Sequence, residues 1–270
     1  MTMPISVASL SLEERVAIVT GGGTGIGRGI TLEFAKAGAD VVVAGRTLAN
    51  LEEVAKEVRA VGRHSLVVQT DISKKADVEN MVQRTMDEFG KIDILVNNAG
   101  IGDALDGKMP PWLIDVPEDH WHKIVDIDLN GVFLCCQAAG KRMIERKRGS
   151  IINISSMSAF LGSASPYGIS KAGVVRLTTG LAGDLGPYNI RVNAIAPGYV
   201  RVPVGVVNTE DEAAHYDDAE MLKAIPLGRI AESADIACLA LFLASDAANY
   251  VTGQIIAMAG GRTKSVLSLS

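Results

Sequence analysis

Residues 15–27 read RVAIVTGGGTGIG, an apolar β-branched run followed directly by a glycine-rich turn. A short run of this kind is typical of a buried strand. Glycines after such a strand let the backbone N–H groups of the next helix approach a pyrophosphate. The turn lacks the GxGxxG spacing, and a lone glycine-rich turn is also compatible with a simple tight turn. The surrounding sequence has to decide between the two interpretations.

Strand-like and helix-like segments alternate along the rest of the chain. The runs that predict buried strands are 15–20, 40–45, 65–71, 92–98, 149–156, 190–196 and 253–259. Between the second and third, apolar residues recur every three or four positions and predict one helix face: Leu48, Leu51, Val54, Ala55, Val58 and Val61. This alternation predicts an α/β fold with a Rossmann-like, doubly wound sheet of about seven parallel strands and helices on both faces.

The predicted strands fill the chain without a linker or a low-complexity segment. We therefore expect a single domain over residues 1–270, with its core at about 13–261. The longest irregular stretch, about 198–226, exceeds an ordinary connection and is interpreted as a flexible or substrate loop.

The bulk composition narrows the class of protein. A net charge of −5 and a pI near 5.4 give no electrostatic footprint for nucleic acid. Three cysteines and four histidines show neither a disulfide framework nor a metal-ligand spacing, which favours a reducing cytoplasm and no metal. The sequence shows neither a signal peptide nor an apolar run of about 20 residues, so we expect no membrane partner.

The end of the second predicted strand indicates which dinucleotide would bind. An acidic residue at this point would hold the ribose 2′-hydroxyl of NAD. Here the sequence has Gly45 followed by Arg46 and no carboxylate. An arginine without an acid favours the 2′-phosphate of NADP(H), while NAD(H) remains the alternative cofactor.

A tyrosine and a lysine stand four residues apart in SPYGISKAG, residues 165–173. At this spacing Tyr167 and Lys171 share one helix face. Taken alone, the pair favours simple packing of the two side-chain stems. The alternative is an acid/base pair, because a phenol titrates at about 10 and a nearby cation favours its ionised form.

Five motifs in order decide between these interpretations. They are TGGGTGIG (TGxxxGxG) at 20–27, NNAG at 97–100, YGISK (YxxxK) at 167–171, PG at 197–198 and YVTGQ at 250–254. In this order and spacing the chain resembles the short-chain dehydrogenase/reductase family over about residues 13–261. The resemblance implies an alcohol dehydrogenase or carbonyl reductase that uses NADP(H) or NAD(H), acts on a small-molecule alcohol or ketone, and forms a homotetramer.

The resemblance also implies roles for single residues. Tyr167 is the general acid/base, while Lys171 lowers the pKa of the phenol and binds the nicotinamide ribose. Ser156 polarises the substrate oxygen; it is preferred to Ser155 by alignment, although its eleven-residue spacing to Tyr167 is slightly short. The stretch 97–100 lines the cofactor and Asp71 contacts the adenine. Besides Tyr167 and Lys171, the expected cofactor-binding residues are Gly21, Gly23, Thr24, Gly25, Ile26, Gly27, Arg46, Asp71, Ile72, Asn98, Ala99, Gly100, Pro197, Gly198 and Val200.

Three positions depart from the family pattern. Asp128 stands where the catalytic set usually has an asparagine, and Asn130 is out of register with that position. Val202 replaces a common threonine that holds the nicotinamide amide, and Ala259 replaces a frequent aspartate. The first two departures put catalytic efficiency and cofactor affinity in question.

The substrate itself is only coarsely indicated. Loop residues expected around it predict a largely apolar pocket: Met109, Trp112, Leu113, Phe160, Leu161, Tyr199, Val204 and Met221. The acidic run 210–220 is a weak indication against acyl carriers. The alternatives are an NAD-dependent polyol, sugar or cyclic alcohol dehydrogenase and, from another class, a non-catalytic nucleotide-sensing regulator. A sugar-nucleotide epimerase is disfavoured, because TGxxGxxG and a longer C-terminal region are missing.

Overall fold

Seven parallel strands form one sheet in the computed structural model, which describes residues 10–103, 113–161, 164–202 and 222–262. These strands are β1 (Val16–Thr20), β2 (Asp40–Gly45), β3 (Ser65–Gln69), β4 (Ile94–Asn97), β5 (Gly149–Ile154), β6 (Ile190–Pro197) and β9 (Ile255–Met258). Their order across the sheet is β3-β2-β1-β4-β5-β6-β9, and every neighbouring pair is parallel. The predicted seven-stranded parallel α/β sheet is therefore confirmed.

Helices cover both faces of this sheet. They are α1 (Gly25–Lys36), α2 (Leu48–Ala60), α3 (Lys75–Phe89), α4 (Glu118–Val125), α5 (Val132–Arg146), α6 (Pro166–Leu185) and α7 (Ser233–Ala244), and a π-helical turn, Asp126–Gly131, joins α4 to α5. Side chains alternate along a strand, so Ala17 and Val19 of β1 pack with α1, α2 and α7. Val16 and Ile18 pack with α3, α5 and α6 on the other face. Two apolar layers on one sheet explain the unbroken apolar strands in the sequence.

The structure differs from the sequence prediction at the sheet edges. We predicted β3 and β9 as buried strands, but Val68 is the one buried residue of β3, and β9 has none. Each is an edge strand with a sheet neighbour on one side only. The predicted stripe on α2 is likewise buried in its middle, whereas Leu48 and Val61 at its ends are each 49% exposed. The short pair β7 (Val200–Arg201) and β8 (Ala231–Glu232) was not predicted.

The strand order reverses direction between β1 and β4. In open α/β sheets the crevice beyond the carboxyl ends of the strands at this switch point is where ligands bind. The glycine-rich turn after β1 and the NNAG stretch after β4 both lie there. Within the described ranges, none of the helices combines the length and apolarity needed to cross a bilayer.

Candidate active site

A cavity of about 550 Å³ opens at the carboxyl ends of β1, β4, β5 and β6. It gathers almost all of the predicted site residues, although they come from across the chain. Those that line it are Gly21, Gly23, Thr24, Gly25, Ile26, Arg46, Asp71, Ile72, Asn98, Ala99, Gly100, Ser156, Tyr167, Lys171, Pro197, Gly198 and Val200. Gly27 and Asp128 lie behind this lining instead, in contact with residues that form it.

The glycine-rich turn packs against the loop after β4 at very short range. Gly21 has φ +64°, and a Cβ there would lie 2.8 Å from Asn98 Nδ2. A Cβ on Gly27 would lie 2.1 Å from the Gly21 carbonyl oxygen, so no larger residue fits. Asn98 Nδ2 fastens the two loops by donating to the carbonyl oxygens of Thr20 and Gly21, at 3.0 and 3.2 Å. This approach leaves the N-terminus of α1 open to the cavity, as a pyrophosphate requires.

The NNAG stretch does not line the cavity along its whole length. We expected all of 97–100 to do so, but Asn97 is buried and its Nδ2 donates to Asn153 Oδ1 at 2.8 Å. Asn97 is the last residue of β4, and its side chain points into the core. Only Asn98, Ala99 and Gly100 reach the cavity.

Residues after β2 and β3 form the far end of the cavity. Arg46 is exposed and lines it, with its carbonyl oxygen accepting from Gln69 Nε2 at 2.8 Å. Partial burial opposes the charge of Asp71, but hydrogen bonds from Ser73 and the nearby Lys74 and Arg46 charges hold its pKa below the ordinary value. A cation with no carboxylate on the preceding residue suits a 2′-phosphate. The residues present therefore fit a dinucleotide cofactor.

The first turns of α6 carry Tyr167 and Lys171 on one face. Lys171 Nζ lies 5.4 Å from the centre of the Tyr167 ring, and it donates to the Ile154 carbonyl oxygen at 3.2 Å. Lys171 is 4% exposed, whereas Tyr167 is half-buried at the cavity. The ammonium is thus held next to the phenol, in an almost fully buried position at the cavity.

The two neighbouring serines have different partners. Ser155 is buried, and its hydroxyl donates to the Lys171 carbonyl oxygen at 3.0 Å. Ser156 Oγ accepts a hydrogen bond from the Ser158 N–H at 3.1 Å. The Ser155 hydroxyl therefore uses its proton in a hydrogen bond to the α6 backbone. The hydroxyl proton of Ser156 has no acceptor within the described residues. This arrangement leaves the Ser156 hydroxyl able to donate a hydrogen bond at the cavity.

Asp128 forms a buried ion pair with Lys171. It lies in the π-helical turn, fully buried; its Oδ1 accepts from the Ile101 N–H at 2.8 Å and its Oδ2 lies 3.5 Å from Lys171 Nζ. Burial raises the pKa of Asp128 against the pull of Lys171. Burial also opposes the charge on Lys171, but Asp128 and Tyr167 raise the pKa of that ammonium above its ordinary value. A Cβ on Gly100 would lie 3.2 Å from both charged groups, so the loop after β4 closes directly over the pair.

Several residues at the cavity were not identified from the sequence. Thr47, Asn50, Thr70, Ile101, Gly102 and Ile127 line it. Most of them lie within four residues after the end of a predicted strand or the start of a predicted helix. This proximity is the one sequence signal that could have identified them. Of the described residues that were expected around the substrate, Tyr199 lines the cavity, whereas Leu113, Phe160 and Leu161 do not. Val202, which replaces the common threonine of the family, also lines it. Met109, Trp112, Val204, Met221, the acidic run 210–220 and residues 203–221 of the predicted loop lie outside the described residues.

The sequence matches a family model and several characterised proteins over nearly its whole length. The model, described as enoyl-(acyl carrier protein) reductase, matches residues 21–263. The (2S)-((R)-hydroxy(phenyl)methyl)succinyl-CoA dehydrogenase subunit BbsD of Thauera aromatica is 40% identical over 94% of this chain and 98% of its own length. The 3-oxoacyl-(acyl-carrier-protein) reductase of Thermotoga maritima is 35% identical over 93% of this chain and 99% of its own.

Solved structures show the same similarity. A short-chain type dehydrogenase/reductase from Mycobacterium marinum superposes with a TM-score of 0.87 at 36% identity, covering 96% of this chain and 99% of that one. A 7α-hydroxysteroid dehydrogenase, complexed with NADH and 7-oxo glycochenodeoxycholic acid, superposes with a TM-score of 0.85 at 33% identity, covering 96% and 98%.

Proposed function

Because the chain belongs to the short-chain dehydrogenase/reductase family of oxidoreductases, we propose that it interconverts a secondary alcohol and a ketone with NADP(H). The observation that carries the proposal is the meeting of Ser156, Tyr167 and Lys171 at the cavity that the glycine-rich turn also lines. A proton donor, a cation and a place for a dinucleotide are the parts that such a reaction requires.

Each of the three side chains has a distinct task in this proposal. Ser156 donates a hydrogen bond to the substrate oxygen and holds it beside Tyr167. In the reductive direction the Tyr167 hydroxyl gives its proton to that oxygen, and in the oxidative direction the phenolate takes the proton back. Lys171 stabilises the phenolate through its charge and offers its ammonium to the ribose. When bound, the nicotinamide supplies or accepts the hydride.

The proposed cofactor preference for NADP(H) over NAD(H) depends on Gly45 and Arg46. Gly45 lines the cavity and carries no carboxylate. A carboxylate at this position would repel a 2′-phosphate. Arg46 lines the same end and can make charge-assisted hydrogen bonds to a phosphate. Asn98, Ala99, Gly100, Pro197, Gly198 and Val200 would hold the remainder of the cofactor, as their positions along the cavity support.

For the substrate, the first candidate is a small or cyclic secondary alcohol or its ketone. A second candidate, the 3-oxo group of an acyl thioester, is favoured by the relatives that act on acyl-carrier-protein or CoA thioesters. The acidic run 210–220, our reason for disfavouring acyl carriers, lies outside the described residues. Both candidates present the same reacting group, a ketone oxygen that takes a proton from Tyr167.

The proposal is tested by following NADPH absorbance with a panel of cyclic ketones, oxidised polyols, oxosteroids and a 3-oxoacyl thioester. We expect turnover with at least one class, and we expect Tyr167→Phe to abolish it while NADPH binding stays within severalfold of the parent. Binding of NADPH without turnover across the panel would favour a nucleotide-sensing regulator. Substantial activity in Tyr167→Phe would remove Tyr167 from the acid/base role.

We also propose that the chain acts in the cytoplasm as a homotetramer. Phe133 of α5 and Ile169 of α6 are 46% and 39% exposed, and exposed apolar surface on neighbouring helices is typical of an interface between subunits. Cys135 and Cys136 are free and buried, which suits a reducing compartment. Sedimentation at micromolar concentration is expected to give a tetramer, and a 28 kDa monomer would contradict the assembly.

A further inference from the structure

One backbone N–H group in the first turn of α6 donates to a side chain from a distant part of the sequence. A helix leaves its first N–H groups without partners inside the helix. Pro166 has no N–H, Ser165 Oγ accepts from the Gly168 N–H at 3.0 Å, and the Ile169 N–H reaches the Ser165 carbonyl oxygen at 2.9 Å. The remaining N–H belongs to Tyr167, and Asp103 Oδ1 accepts it at 2.8 Å across 64 positions of sequence.

The loop after β4, which contains Asp103, is held at a second point by another carboxylate. Asp128 Oδ1 accepts from the Ile101 N–H, two residues before Asp103. Asp128 is in turn paired with Lys171, which stands one helical turn after Tyr167. These contacts form a closed ring through the loop, the start of α6 and the π-helical turn. Gly100, Ile101 and Gly102 in this loop also line the cofactor cavity.

We propose that Asp103 is a positioning residue for Tyr167, an inference that rests on the proposed function. The hydrogen bond fixes the backbone nitrogen of Tyr167, and with it the origin of the side chain that carries the phenol. It is charge-assisted and placed at a helix N-terminus, where a carboxylate is favoured. Asp103 thereby ties the wall of the cofactor cavity to the acid/base group, while Asp103 itself is not among the described residues that line the cavity.

Two substitutions at this position separate the hydrogen bond from the presence of a side chain. Asp103→Ala removes the acceptor, whereas Asp103→Asn keeps an oxygen that can accept from the Tyr167 N–H. The control is Asp235→Ala, because Asp235 Oδ2 accepts from the Glu232 N–H at 2.8 Å at the start of α7, outside the cavity lining. The assays are single-turnover hydride transfer, the Kd of NADPH and the Tm of each variant.

We expect Asp103→Ala to slow hydride transfer by about 10- to 100-fold, since small misplacements of a reacting group cost this much. The Kd of NADPH should stay within about threefold of the parent, and Asp103→Asn should recover most of the rate. Asp235→Ala should lower the Tm without slowing hydride transfer.

Other outcomes overturn the inference. They are an Asp103→Ala rate within twofold of the parent, equal slowing by Asn and Ala, a loss of NADPH affinity that matches the loss of rate, or equal slowing by Asp235→Ala. A parent enzyme that turns over no ketone would refute the proposed function, and the inference with it. Turnover by the parent that is unchanged in Asp103→Ala would refute this inference alone.

Discussion

Replacing Asp128 with asparagine changes the charge next to Lys171 while keeping the shape of the site. The amide oxygen can still accept from the Ile101 N–H, so the loop after β4 stays attached. Lys171 keeps its hydrogen bond to the Ile154 carbonyl oxygen. What disappears is the negative charge 3.5 Å from Lys171 Nζ, a charge that offsets the ammonium's attraction for a Tyr167 phenolate. The ionised form of Tyr167, which accepts the proton in the proposed alcohol oxidation, should therefore become easier to form.

The size of this effect follows from two distances. Lys171 Nζ lies 5.4 Å from the Tyr167 ring centre and 3.5 Å from Asp128 Oδ2, so that oxygen is at most about 9 Å from the ring centre. With an effective dielectric constant of about 20, Coulomb's law gives roughly 2 kcal/mol of repulsion between the carboxylate and a phenolate at this distance. One pH unit corresponds to about 1.4 kcal/mol. Burial raises the pKa of Asp128 and so reduces its mean negative charge. We therefore expect the substitution to move the pH profile of alcohol oxidation to lower pH by about one unit.

The assay is the pH profile of kcat/KM for alcohol oxidation by the parent, Asp128→Asn and Asp126→Asn. We expect Asp128→Asn to keep or increase activity and to move the rising limb to lower pH by about one unit. Asp126 lies in the same π-helical turn, but its Oδ1 accepts a hydrogen bond from Asn130 Nδ2 and not from Lys171. The Asp126→Asn variant should therefore leave the pH profile unchanged. An unshifted profile in Asp128→Asn would show that Asp128 is already uncharged. Near-complete inactivity with an intact fold would instead give the carboxylate a direct chemical role.

Four further substitutions test other parts of the structure. Arg46→Ala should weaken kcat/KM for NADPH by about 10- to 100-fold, the value of a charge-assisted phosphate contact, and leave NADH almost unaffected; an unchanged preference would refute the role of Arg46. Ser156→Ala should lower kcat by about 100- to 1,000-fold with little change in Tm. Ser155→Ala should mainly lower the Tm, because the Ser155 hydroxyl is hydrogen-bonded to the α6 backbone. The reverse pattern would exchange the roles of the two serines. Asp235→Ala should lower the Tm by about 3 °C at pH 7, as expected for a lost helix cap. The hydrogen bond from Arg229 lowers the pKa of Asp235 from 3.8 to about 2, so this contribution is present above pH 3.8 and lost as the pH falls towards 2. The Tm difference should shrink accordingly in acid, and a constant difference would contradict this account.

The order of elements could be predicted from the sequence because each signal is local. Buried strands are short apolar runs, and a strand followed by a helix over and over requires a parallel sheet with crossover helices. The spacing of Tyr167 and Lys171 puts them on one helix face whatever else the chain does. The glycine-rich turn is equally local, and in the structure Gly21 and Gly27 meet backbone and side-chain atoms that leave no room for a Cβ.

Burial at the sheet edges could not be predicted in the same way. An apolar run looks the same whether its strand becomes central or lies at an edge, so β3 and β9 were predicted as buried although both are partly exposed. Strand order across the sheet is a property of the whole chain. Likewise, the direction of Asn97 into the core depends on Asn153 of β5, which neighbours β4 only in the folded sheet.

The sequence by itself determined the fold class, the glycine-rich turn after β1 and the placement of Tyr167 and Lys171 on one helix face, since residues close along the chain set each of these. Only the tertiary structure decided which partners the polar side chains find. It brought Asp103 to the Tyr167 N–H across 64 positions, Asp128 to Lys171, and Ser155 rather than Ser156 to the α6 backbone. Hydrogen bonds and ion pairs act over about 3 to 4 Å, and contacts between distant segments at that range exist only once the sheet and helices have packed.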